Sequence, residues 1–203
     1  MASGQNRALA LVRETLLPIL ALALSVSALH ATRVRPINLE EMTKVAKRIF
    51  SGRVVEVRDM EDPKLGRRVT LVTVDVDRAV KGRADRTITF KQIAGPDPRT
   101  GIRSGIVGMP LYSKGEEVVL FLAGEGPTGL TSTLGLGQGK FVILGGRGGR
   151  RQAANEWANR SLLEGMSQEA LGRLGTSAQY WRGRRGIPPE ALLNMVETLK
   201  RKP

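Results

Sequence analysis

Two hundred and three residues with 41% apolar content suffice for one ordinary domain with a real core and a modest extension, which excludes a disordered chain. Lys plus Arg at 32 against Asp plus Glu at 19 gives a net charge of +13, a surface that draws polyanions rather than cations. Cysteine is absent and histidine occurs once, which removes disulfide scaffolds, cysteine nucleophiles, thiolate zinc sites and histidine-based triads.

Arg7 and Arg13 precede the run Leu16 to Leu29, which ends in small residues, the order of an export signal. Val26-Ser27-Ala28 and Leu29-His30-Ala31 each end in alanine, so cleavage is expected after Ala28 or Ala31, and residues 1–31 are assigned to the signal peptide. The run is short against the roughly 20 residues of a membrane span and is interrupted by Pro18, so no transmembrane segment is expected after cleavage. The expected location is periplasmic or secreted. His30 leaves with the signal when the cut follows Ala31; metals would then find only oxygen ligands, and no cofactor or metal is expected.

Asn38 opens NLEEMTKVAKRIF, where Leu39, Met42, Val45, Ala46 and Ile49 recur at helical spacing. Asn38 suits the N-cap, Glu41 completes a capping-box-like pattern, and Lys44, Lys47 and Arg48 suit the basic end. From Ile49 the period drops to two. SGRVVEV reads as a first strand and RVTLVTVDVDRAV, dense in β-branched residues, as a second. TITFKQI supplies a third, and the segment Ala94 to Pro110, rich in glycine and proline, reads as a large loop. EEVVLFLAG is a strand buried on both faces, and GLTSTLG with GKFVIL forms the remaining strand region.

Short strands in series with a single helix and no βαβ alternation predict a mainly β fold with some α: a small antiparallel OB-like β-barrel over residues 32–144 carrying an N-terminal helix. A β-sandwich is the alternative. GGRGGRR then breaks the apolar pattern, so residues 145–152 are expected to be a Gly/Arg linker. Residues 153–203 are expected to form a basic, α-helical C-terminal tail, with helices near Ala153 to Leu163, Ser167 to Leu174 and Pro188 to Arg201. Leu192, Leu193, Val196 and Leu199 form a stripe in the last of these, suited to packing on the barrel, although the linker suggests that the tail is separable.

The export signal, INLEEM, SGRVVEV, VTVDVDRAVKG, SKGEEVVLFL and LGQGKFVI taken together resemble a group of uncharacterised secreted bacterial proteins. Their domain is similar to the OB-like barrel of netrin modules and tissue metalloproteinase inhibitors. The resemblance covers about residues 32–144 and implies the barrel but no activity. Such inhibitors chelate zinc through a terminal cysteine, and this chain has none, so that mechanism is not carried over.

Three features invite chemistry. Gly135 to Lys140 places glycines before a lysine, yet Leu134 and Phe141 stand where a phosphate loop needs glycine and a hydroxyl residue, so a turn between strands is expected. Asp75 and Asp77 share a strand face, where paired carboxylates would suit calcium binding or acid–base work, but charged residues on the wet face of a half-exposed strand account for them and are the expected reading. No G-x-S-x-G elbow occurs, and the chain is expected not to be an enzyme. The third is the basic excess after residue 145: Arg147, Arg150 and Arg151, then Tyr180, Trp181, Arg182, Arg184 and Arg185. Arginine forks grip phosphate or carboxylate, and a neighbouring aromatic can stack on a base or sugar. The expected function is an exported, non-catalytic binding module that contacts an envelope or extracellular macromolecule, a protein in the first instance, through the Ala94 to Pro110 loop. The alternative is polyanion binding, to nucleic acid, anionic polysaccharide or lipid headgroups, through the basic tail and barrel loops.

Overall fold

The computed structural model describes residues 35–83, 85–96, 103–105, 108–145 and 147–201. The export signal and its cleavage points lie outside the described residues, as does much of the 94–110 loop.

Chain order begins with α1 (Leu39–Val45), which Asn38 caps as expected: its side chain accepts the Glu41 N–H at 2.9 Å. Strands β1 (Arg48–Asp62) and β2 (Arg67–Lys81) form a long antiparallel hairpin, and β3 (Thr87–Gln92) pairs with β2. Two short strands, β4 (Ala94–Pro96) and β5 (Arg103–Gly105), pair with each other. Then come β6 (Glu117–Leu122), β7 (Lys140–Gly145) and β8 (Arg151–Asn155), followed by α2 (Gln168–Leu174), α3 (Thr176–Trp181) and α4 (Pro189–Lys200).

The main sheet has six antiparallel strands in the order β3-β2-β1-β6-β7-β8, and its ladders leave it open. The protein is mainly β with helices. GLTSTLG, expected within a strand region, makes only isolated bridges: Leu130 to Lys91 of β3, parallel, and Thr133 to Leu122 of β6, antiparallel.

β6 shows how the core is divided, because successive side chains of a strand point to opposite faces. Val118, Leu120 and Leu122 join Phe50, Val72 and Phe90 on one face. Val119 and Phe121 join Phe141 on the other, where Leu39 and Met42 of α1 and Leu192 and Val196 of α4 cover them. Aromatic pairs fill both layers, Phe90 with Tyr112 at 5.5 Å between centroids and Phe121 with Phe141 at 5.6 Å.

This second layer corrects the expected boundary at residue 144. Residues 145–152 are not a linker: Gly145 and Arg151 face each other in the β7–β8 ladder, and residues 147–149 form the turn between them. Gly148 and Gly149 sit at φ of +71° and +73°, the left-handed region that glycine enters without steric cost, so the glycines serve a tight turn. The expected helix from Ala153 to Leu163 is replaced by β8 and a series of turns. Alanine's helix preference is small, and the open edge of β7 supplies five paired positions that outweigh it. The tail is therefore part of the domain, and the described residues from 35 to 201 fall within one compact unit. Helices α2 and α4 fall where their sequence signals put them, whereas α3 has no counterpart among the expected elements. No described helix is long and apolar enough to cross a membrane.

Candidate functional site

The arginine-rich connection between α3 and α4 is the most constructed of the expected sites. Trp181 packs against the helix-covered core, while Tyr180, next to it, is 56% exposed. The two rings meet edge to face at 4.5 Å. Gly183 turns the chain at φ +70°, and Arg184 folds back so that its guanidinium lies 4.3 Å from the Tyr180 centroid and its Nε donates to the Tyr180 carbonyl at 2.8 Å. The far end of the loop is tied down as well. Asn159 donates from Nδ2 to the Arg185 carbonyl, and Ile187 and Ala153 exchange backbone hydrogen bonds at 2.7 and 3.1 Å.

The structure thus brings Tyr180, Trp181, Arg182, Arg184 and Arg185 together on an anchored loop. Arg182, Arg184 and Arg185 are all exposed, and none of them makes an ion pair among the described residues. The two aromatic side chains of the expected site differ in setting. Trp181 packs against the core, whereas Arg184 lies over one face of Tyr180 and leaves that ring 56% exposed.

The first arginine cluster divides. The backbone of Arg147 belongs to the β7–β8 turn, and Arg150 is exposed beside it. Arg151 is committed: its guanidinium pairs with Glu117 at 2.5 Å, and Arg53 of β1 pairs with the other oxygen of the same carboxylate. Arg151 therefore contributes to a surface ion-pair cluster rather than to a free cationic patch.

The remaining motifs are structural. Leu136–Gln138 forms a short 3-10 turn leading into β7, in keeping with the turn expected there. Gln138 is buried and clips the segment before α1, accepting the Ile37 N–H and donating to the Arg35 carbonyl, both at 3.0 Å. Lys140, the lysine of that motif, is 5% exposed and bonded to Glu116 at 2.8 Å. Asp75 lies opposite Arg53 in the sheet, and no cluster of three or more metal-ligating side chains occurs among the described residues.

One constellation escaped sequence reasoning. A cavity of about 350 Å³ opens between α1, α2, α4 and the end of β2, with Lys44, Lys81, Arg173 and Lys200 in its walls and Thr43 behind them. The Lys81 ammonium donates to the Thr43 and Lys44 carbonyls at 2.7 and 2.9 Å, covering the C-terminal carbonyls of α1. These residues lie far apart in the chain and share no motif, so only the packing of the terminal helices assembles them.

No protein-family model matches the chain, and no curated protein matches it.

Proposed function

We propose that this protein is an exported, non-catalytic binding module whose arginine loop, Arg182 to Arg185, engages an anionic macromolecule. One observation carries this reading: the loop is fastened at Tyr180, Arg185 and Ile187, while Arg182, Arg184 and Arg185 are exposed without carboxylate partners among the described residues. Arginine forks held in place bind phosphate, sulfate or carboxylate oxygens bidentately and lose less conformational entropy on binding than arginines on a free tail. The +13 charge adds long-range attraction to any polyanion. Export is supported by the N-terminal pattern of the sequence. A protein partner at the envelope is the other expectation, but it depends on the 94–110 loop, which is largely outside the described residues.

We further propose that the sheet is an OB-like barrel in function. The segment from Leu130 to Thr133 supports this, because its bridges to Lys91 and Leu122 set it between β3 and β6, the position from which a closing strand would act. Thr131 donates to the Lys91 carbonyl and Ala123 to that of Ser132, at 2.8 and 2.9 Å.

The binding reading is tested by measuring affinity for a single-stranded oligonucleotide and for a sulfated polysaccharide across a salt series. Affinity should fall steeply with salt, and replacing Arg182, Arg184 and Arg185 together by Gln should reduce the oligonucleotide salt slope by about 2. A flat salt dependence, or a triple variant that binds as tightly as the parent, removes it.

A further inference from the structure

The cavity between the terminal helices is independent of the arginine loop, and its chemistry is unusually lopsided. Four cations, Lys44, Lys81, Arg173 and Lys200, face two carboxylates, Glu40 and Glu169. Glu40 is already engaged, since its two oxygens accept the Ser167 N–H at 2.7 Å and the Ser167 hydroxyl at 2.8 Å. None of the four cations forms an ion pair among the described residues. Three of them are held instead by neutral backbone: Lys81 by α1, Lys200 by the Val80 carbonyl, and Arg173 by the carbonyls of Thr198 and Arg201.

These anchors leave donors to spare. An ammonium has three N–H bonds and a guanidinium five, so Lys81 keeps one free, Lys200 two, and Arg173 its Nη1 and Nε groups. A second observation is separate from the charges. Thr43, 3% exposed, lines the same cavity, and its hydroxyl is buried with no hydrogen-bond partner. A buried hydroxyl left unpaired is a standing cost that a ligand oxygen can remove. Burial first, and then the charges of Lys47 and Lys200, hold the Lys81 ammonium below the usual lysine range, as expected where positive charge lacks a counter-ion.

We infer that this cavity binds a phosphate-type oxyanion, either free or as the head of a small phosphate ester, with Lys81, Lys200 and Arg173 donating to its oxygens and Thr43 at the floor. The charge balance favours a dianion over a simple carboxylate, because four cations stand against two carboxylates and leave an excess of two positive charges. Leu199 and Ala170 in the same wall offer apolar contact to the organic part of an ester.

Calorimetric titration of the full chain with inorganic phosphate and with phenyl phosphate tests this, with each titration repeated in the arginine-loop triple variant so that binding there is separated from binding here. Saturable one-to-one binding that persists in the triple variant is expected. A tighter phenyl phosphate identifies an ester as the natural source, and a tighter inorganic phosphate the free ion. Lys200→Gln and Thr43→Val should each weaken binding by roughly tenfold. Thr43→Val removes a hydroxyl that has no partner, so its fold should melt as the parent does, which keeps the binding result interpretable. Absence of saturable binding to both probes, its loss in the triple variant, or unchanged affinity in either single variant overturns the assignment.

Discussion

Asn155 and Asn159 hold each other's backbone. The Asn159 Oδ1 accepts the Asn155 N–H at 3.0 Å, and the Asn155 Oδ1 accepts the Asn159 N–H at 2.9 Å. This reciprocal clasp lets the chain leave β8 through Ala158 and Asn159, both at positive φ, without stranding its polar groups. Asn159 is 3% exposed, and its Nδ2 also reaches the carbonyls of Ala153 and Arg185, so one side chain joins the sheet edge, the turn and the arginine loop.

Replacing Asn159 by Ala should therefore destabilise the protein by roughly 2–3 kcal/mol, because it leaves the half-buried Asn155 N–H unpaired and removes two further bonds. The same change frees the Arg185 carbonyl, so tryptic cleavage after Arg184 or Arg185 should accelerate beyond what the stability loss accounts for. Urea denaturation and limited proteolysis measure the two effects. A variant within about 0.5 kcal/mol of the parent would show that the clasp is dispensable.

Ending the chain at Leu144 should abolish cooperative folding. The truncation removes β8 and the helices that cover Phe121, Phe141, Leu39 and Met42, and the fully buried Leu192 and Val196 alone represent about 1.5–3 kcal/mol each of lost burial. Near-ultraviolet circular dichroism of the shortened chain should lack the fixed aromatic signal of the parent and show no sharp thermal transition. A truncated protein that melts as the parent does would restore the separable tail.

Acid stability should depend on Asp62. Its carboxylate closes the β1–β2 turn, accepting the Lys64 and Leu65 N–H groups at 2.9 and 3.2 Å, and pairs with Lys91 at 2.5 Å. The Lys91 hydrogen bond, partly opposed by burial and aided by these turn amides, holds the carboxyl below its ordinary range. The unfolded chain then binds more protons than the folded one between the two values, so this stabilisation is present above the unfolded value and is lost as the pH falls through the folded one. Asp62→Asn should be less stable than the parent at neutral pH, and the two should converge in acid. A gap that stays constant down to strongly acidic pH would show that the ion pair does not set the acid limb.

Local signals proved legible where they act over a few residues. Asn38 with Glu41, Pro189 at the start of α4, the alternation in β2 and the two-sided apolar run of β6 each report a cap, a first turn or a pleat, and neighbouring residues suffice to satisfy them. The sequence also located the exposed arginines of the α3–α4 loop. Its charge and lack of cysteine narrowed the chemistry before any fold was considered.

Tertiary structure alone decided the rest, because the deciding interactions join residues distant in the chain. Ala153 has no local reason to be a strand and becomes one because β7 lies on one side and Ile187 on the other. The glycines of GGRGGRR fit a linker or a hairpin turn equally well until β8 has a partner. Whether Trp181 would stack on a ligand or fill the core depended on helices packed over Phe121 and Phe141, and the cationic cavity exists only where α1, α2 and α4 converge on the end of β2. Caps and periodicity specify elements, while burial against remote surfaces selects which elements meet, and that selection has no short-range signature.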